Sequence, residues 1–356
     1  MLPTRWLARA IGVLIACASL LVTLVSTNGT SDAAARTTAA SSTVFSSAAA
    51  TAAQLYRYPD DVSGPDIDTS TSETLAQLQA LAPDTTVTPH RLVVDGLVRS
   101  YLVIAPATQS GPLPLIVFLS GRGVKPAVEA ARDGDLIDLA NTGKAILVYP
   151  TAYDEGWNVE SDGCCGSAVT EKVDDVAFLS RLMYALDGTV NVAAHSTFLT
   201  GYSNGGKMVY QLSCEYGRLF DAVAVNAATP LRTCAAASQP PLSVMVLVGG
   251  NDSSLPIEGR ALPSAQALAD AAAVWAARDG CSSASSTTTP GWATITTTAN
   301  CDNGTKVTTV SFARLAHDFM TASFLAQYSS DTPSAPELMW EFFTGQPLGP
   351  TPLAGP

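Results

Sequence analysis

Histidine is scarce in this chain: three in 356 residues, at positions 90, 195 and 317. Charge is sparse as well, at 14% of residues, and the basic side is the poorer one, with 19 Lys and Arg against 31 Asp and Glu. The net charge is −12 and no Lys/Arg cluster offsets it. Such a chain gives nucleic acid or an anionic membrane no counter-charge, so neither is expected as a partner. The seven cysteines include no C-x-x-C pair. With so few histidines to complete a ligand set, disulfides are favoured over the rival zinc reading, and no metal is expected. There is no internal repeat and no composition break that would mark a second folded domain.

What is present divides into three parts. Residues 1–26 read as a signal peptide: Arg5 and Arg9 make a basic start, and Ala10 to Val25 is an apolar run too short for a comfortable membrane span. Ala33-Ala34-Ala35 is a candidate cleavage site, while Leu14-Ile15-Ala16-Cys17 has the look of a lipobox and leaves a lipid anchor open. Loss of Arg5 and Arg9 with the leader takes the net charge from −12 to near −14. Residues 27–55 are Ala/Ser/Thr-rich and cannot bury enough apolar surface to fold, so they read as a linker. Residues 56–350 are expected to form the folded domain, its first element starting between residues 56 and 86.

Within that domain, 86–94 and 97–104 read as strands around an Asp95-Gly96 turn. Continuous apolar runs at 113–119, 144–149, 198–202, 220–225 and 244–248 have the pattern of buried parallel strands. Helical patterns occupy 126–132, 172–186, 207–214, 264–278 and 336–343, and a strand pair is expected at 294–299 and 306–311. Strands alternating with helices imply an α/β fold, a mostly parallel sheet covered on both faces.

The chain is organised around Gly201-Tyr202-Ser203-Asn204-Gly205, a G-x-S-x-G pentapeptide between an apolar strand and a helix. A nucleophilic serine needs a sharp turn to lift its hydroxyl clear of the sheet, and the glycines leave room for it. A helix start behind Ser203 supplies free N–H groups where an oxyanion would form. The serine needs a base, and the base needs an orienting acid. His195 would lie about 26 Å from Ser203 along one extended strand, and His90 falls in an early outer strand, which leaves His317. Asp252 stands at the end of a buried strand, where α/β sites gather. Its rivals are Asp318, too close in sequence to His317 to reach its ring, and Asp175, expected to be solvated at a helix start. Ser203…Asp252…His317 is the chain order of the α/β-hydrolase fold. The oxyanion hole is expected from the N–H of Asn204 and that of Arg122 in Ser120-Gly121-Arg122-Gly123.

These phrases, with Gly156-Trp157-Asn158, Cys164-Cys165-Gly166, Val173-Asp174-Asp175-Val176-Ala177-Phe178-Leu179 and Gly249-Gly250-Asn251-Asp252, occur together in order. Over roughly residues 85–345 the chain resembles the secreted polyhydroxybutyrate depolymerase and feruloyl esterase family, which is similar to acetylxylan esterases. The resemblance implies ester hydrolysis with no cofactor, by an extracellular monomer acting on a polymeric or small ester. It also implies Ser203, Asp252 and His317 as the triad. Two positions depart from the family pattern. Ser120 stands where His-Gly is usual, and Ala316-His317-Asp318-Phe319-Met320 replaces the usual Gly-His-x-Trp-Pro, which alters the pocket wall. Trp157 is read as a pocket or loop-anchoring aromatic. Two other readings of the same residues are a prolyl-oligopeptidase-like serine peptidase, weakened by the lack of a propeller domain, and a silent hydrolase scaffold used for binding.

Six cysteines follow the leader, an even number that suits disulfides in an exported chain. Cys281 and Cys301 flank a Ser/Thr-rich segment that cannot hold itself in place, and a bridge between them is expected. Cys164, Cys165, Cys214 and Cys234 are left without an assigned pairing.

Overall fold

The structure, a computed structural model, describes residues 72–132, 134–159, 166–230, 239–257, 260–261, 263–282 and 284–348. The expectations for the leader, the linker, Cys17, Cys164, Cys165 and Cys234 lie outside them.

The apolar runs do form strands buried on both faces: β3 (Leu113–Leu119), β4 (Ile146–Pro150), β6 (Ala222–Asn226) and β7 (Ser243–Gly249). With β1 (Thr85–Val94), β2 (Leu97–Pro106), β5 (Val192–Tyr202), β10 (Ser285–Thr288), β11 (Ala293–Thr298) and β12 (Val307–Phe312) they make one ten-stranded sheet, ordered β1-β2-β4-β3-β5-β6-β7-β12-β11-β10. The centre, from β4 through β12, is parallel, and the two flanks are antiparallel. β8 (Pro256–Ile257) and β9 (Arg260–Ala261) form a separate small ribbon.

Period-two alternation sends alternate residues of β3 to opposite faces. Leu115, Val117 and Leu119 join the core that holds Phe178, Met208 and Trp275, whereas Ile116 and Phe118 join the one that holds Leu136, Met339 and Trp340. Helices α5 (Asp175–Asp187), α6 (Asn204–Tyr216) and α7 (Ser264–Arg278) cover the first face. The second is covered by α1 (Ser72–Leu81), α2 (Pro126–Arg132), α3 (Gly134–Asn141) and α9 (Ala335–Thr344). α4 (Ser167–Thr170) and α8 (Ala322–Leu325) are single turns. This is the α/β-hydrolase fold, with the strand crossovers that gather loops at the C-terminal edge of the parallel strands.

The elements depart from expectation at α5, α1, α3 and β10. α5 begins at Asp175 rather than Lys172, because Lys172 is left-handed (φ 55°) and Asp174 caps the helix by accepting the Ala177 N–H at 2.8 Å. α1 and α3 lie where the pattern is weak. β10 is exposed along its whole length, so no alternation marks it, and pairing with β11 is what makes it a strand. Cys281 and Cys301 are bridged, closing a 20-residue separation, and Cys214 is disulfide-bonded as well.

Candidate active site

β5 runs into Ser203, and α6 starts on the next residue. Ser203 holds φ 53° and ψ −116°, a conformation that L side chains rarely adopt, and its N–H donates to the Asn226 carbonyl at 2.9 Å. The turn is that tight because two glycines allow it. A Cβ on Gly201 would lie 2.7 Å from the Gly205 carbonyl carbon, and one on Gly205 would lie 2.1 Å from the Leu119 oxygen.

The structure brings Ser203, Asp252 and His317 into one hydrogen-bonded row. His317 Nε2 lies 2.8 Å from Ser203 Oγ, and Nδ1 lies 2.8 Å from Asp252 Oδ2. Asp252 follows the end of β7 and is buried; its other oxygen accepts the Ser254 N–H at 2.8 Å, and its carbonyl accepts the Ser264 hydroxyl. A carboxylate so engaged cannot rotate away from the imidazole. His317 follows β12 on a loop pressed against β7: a Cβ on Gly249 would stand 2.1 Å from the Ala316 oxygen. Sequence reasoning missed the brace on this loop. The Tyr202 hydroxyl donates to the His317 carbonyl at 2.8 Å, with the rings 5.4 Å apart. Burial first, then the nearby Asp318 carboxylate, push the Tyr202 pKa up, so the hydroxyl keeps its proton and stays a donor.

The rival residues sit elsewhere. His90, in the edge strand β1, stacks on Tyr101 of β2, and His195 is exposed with Nδ1 3.5 Å from Asp221 Oδ1. The expectation for Asp175 is corrected. It is fully buried, 2.6 Å from Arg99, whose guanidinium also lies 4.1 Å from the centre of the Phe178 ring. Burial pushes the Asp175 pKa up against the opposing pull of Arg99. Its location follows from α5 turning its inner face, Val176 and Phe178 included, onto the sheet. A paired Arg facing inward on β2 is the one sequence signal that could have placed it.

Around the expected oxyanion hole, the Asn204 N–H heads α6. The Gly123 N–H donates to the Glu155 carbonyl at 2.8 Å, and the Gly121 N–H faces the buried Glu129 carboxyl, whose pKa burial raises. The Arg122 N–H between them makes no hydrogen bond with the described residues. Of the two readings of Trp157, pocket aromatic or loop anchor, its placement fits the second: it is 0% exposed. Its indole Nε1–H donates to the Ser120 carbonyl at 3.0 Å and its backbone N–H to Asn204 Oδ1 at 2.7 Å. Among the described residues no group of three or more His, Cys, Asp or Glu could hold a metal ion, and no helix is long and apolar enough to cross a membrane.

Fold and site together define a class, an α/β-hydrolase with a serine, a histidine and an aspartate in relay geometry at the C-terminal edge of its sheet. Within that class the chain is similar to feruloyl esterases. It is 31% identical over 117 residues to the probable feruloyl esterase C of Aspergillus niger and 32% over 117 residues to feruloyl esterase C of Emericella nidulans, in both cases 33% of this chain and 39% of the relative. With the probable feruloyl esterase C of Aspergillus terreus it shares 28% over 206 residues, 57% of this chain and 66% of that one. The chain thus spans about two-fifths of the length of the first two. Among solved structures, the acetyl xylan esterase from Aspergillus awamori matches with a TM-score of 0.46 and 13% identity over 61% of this chain and 88% of that one. No family model matches.

Proposed function

We propose that this chain is a secreted serine esterase that hydrolyses carboxylic esters on plant polysaccharide, of the feruloyl or acetyl type. One observation carries the reading: His317 is hydrogen-bonded at 2.8 Å to Ser203 on one side and at 2.8 Å to Asp252 on the other. In this reading Ser203 Oγ attacks the ester carbonyl while His317 Nε2 takes its proton. The oxyanion forms against the N–H groups of Asn204 and Arg122. His317 then passes the proton to the leaving alcohol, and Asp252 holds the tautomer and stabilises the imidazolium. A water deprotonated by His317 cleaves the acyl-enzyme and frees the acid, returning the proton to Ser203. The relatives are feruloyl esterases, which favours the feruloyl arm of the family over the polyester arm. Export by way of residues 1–26, with action as a monomer, belongs to the same proposal.

The test is a fluorophosphonate probe followed by turnover of methyl ferulate, acetylated xylan, polyhydroxybutyrate and a prolyl peptide. Labelling at Ser203 with turnover of the first two is expected, and Ser203→Ala or His317→Ala should lower it by several orders of magnitude. No labelling would leave a silent scaffold. Dominant cleavage of the polyester or the peptide would replace the substrate class. Turnover retained in His317→Ala but lost in His90→Ala would overturn the base.

A further inference from the structure

The two N–H groups assigned to the oxyanion hole come from different parts of the chain. Asn204 belongs to α6, and Arg122 to the loop after β3. Their spacing decides whether one oxygen can be held by both, and neither element fixes it alone. A third segment, 151–158, touches both. Trp157 Nε1–H donates to the Ser120 carbonyl at 3.0 Å, two residues from Arg122. The same residue's backbone N–H donates to Asn204 Oδ1 at 2.7 Å, and Asn204 Nδ2 donates back to the Trp157 carbonyl at 3.2 Å. The indole is completely buried and Asn204 nearly so, at 0% and 2% exposure. These bonds therefore exchange little with water and hold one geometry.

The segment is itself tied down at both ends by one ion pair. Arg99 Nη2 donates to the Thr151 carbonyl at 3.2 Å, and Asp175 Oδ2 accepts the Asn158 N–H at 2.7 Å, while Arg99 and Asp175 meet at 2.6 Å. The Ser100 and Thr151 hydroxyls meet at 2.8 Å beside it. A charge pair with no solvent exposure is a costly way to anchor a surface loop. It makes sense when the loop's position must be reproduced to a fraction of an ångström.

We infer that Trp157 is a positioning residue that sets the distance between the Asn204 and Arg122 N–H groups, and that the Arg99–Asp175 pair anchors it for that task. The inference rests on the esterase reading above. It concerns a stage that reading leaves open, namely what fixes an oxyanion hole built from two unconnected strands' ends. Such an arrangement acts on the charge that develops on the carbonyl oxygen. It acts little on the neutral ground-state ester.

Trp157→Phe in the full chain keeps an aromatic six-membered ring and removes the pyrrole ring with its Nε1–H. Asn204→Ala keeps that residue's backbone N–H and removes both side-chain bonds to Trp157, and it carries the test should Trp157→Phe fail to fold. Both are compared with wild type on p-nitrophenyl butyrate, with binding of a trifluoromethyl ketone as the oxyanion mimic and with thermal midpoint and circular dichroism. The expected result is a kcat lower by roughly 10- to 100-fold with KM within about twofold, and a loss of affinity for the mimic by the same factor as kcat/KM. The double variant should lose less than the product of the two single losses, because both act on one bridge. A lower thermal midpoint with kcat and mimic affinity unchanged would overturn the inference and leave Trp157 a packing residue. An equal rise in KM and fall in mimic affinity at constant kcat would overturn it too. Wild-type protein that turns over no ester and leaves the fluorophosphonate unattached would instead overturn the esterase reading itself, and this inference with it.

Discussion

Gly205→Ala should damage both stability and rate, and the structure sets the size of each. A Cβ on Gly205 would stand 2.1 Å from the Leu119 oxygen, 2.5 Å from the Ser120 oxygen and 2.6 Å from the Leu119 carbonyl carbon. Ordinary van der Waals contact begins near 3.4 Å, so α6 and the end of β3 must separate by about 1.3 Å along that line. All three obstacles are backbone, and no side chain can swing aside to absorb the clash. Overpacking of this kind costs typically 1–3 kcal/mol, and a rigid obstacle puts the cost at about 3 kcal/mol. In a domain of this size that lowers the thermal midpoint by roughly 5 °C. The displaced carbonyls belong to the loop that carries Arg122, and the displaced helix carries Asn204. A misplacement of about 1 Å in such a site costs on the order of 100-fold in rate. Scanning calorimetry and kcat on p-nitrophenyl butyrate read the two effects. Gly111→Ala is the control, since a Cβ there meets nothing within 4 Å. If Gly205→Ala keeps its midpoint within 2 °C and its kcat within about twofold, the close approach of elbow and loop is not what the glycine serves.

Three further outcomes are expected. Asp175→Ala leaves the Arg99 charge buried without its partner and should cost about 3–5 kcal/mol in urea unfolding, whereas an exposed aspartate would cost almost nothing. Replacing Cys281 and Cys301 together by serine should lower stability by about 3 kcal/mol, seen as a shift of the urea midpoint, because the 20-residue loop is no longer closed in the unfolded chain. Asp279, fully buried beside Arg278, has its pKa pushed up by burial from 3.8 to about 6. The folded state thus binds the proton more tightly than the unfolded chain, so the stability this contributes is full below pH 3.8 and is lost as pH rises through 6. Asp279→Asn should remove that slope, on the order of 3 kcal/mol across the window, and a pH–stability curve parallel to wild type would contradict it.

Some of this protein is written in local chemistry, and those parts are legible in the sequence. The buried strands are continuous apolar runs, and burial on both faces is a property that such a run carries by itself. The elbow is equally local, because Gly201 and Gly205 make a turn that few other residues permit. With only three histidines, elimination leads to His317, and the chain order with Asp252 follows. The 2.8 Å spacings among those three residues are a different matter, since they join β5, β7 and β12 from across 114 residues of sequence. Tertiary structure alone decided where the other polar and aromatic side chains went. Asp175 reads as a solvated helix-start residue, and only the packing of α5 onto β2 puts it in the core against Arg99. Trp157 reads as either a pocket or a loop-anchoring aromatic, and only the closing of 151–158 over Ser120 and Asn204, which buries it, separates the two. β10 carries no hydrophobic alternation and is a strand because β11 offers it hydrogen bonds. The physical reason is common to all three. Apolar periodicity and turn geometry are properties of a short segment, whereas a buried charge pair or an edge strand is stable only in the presence of a partner distant in the chain, and a single sequence does not say which partner that is.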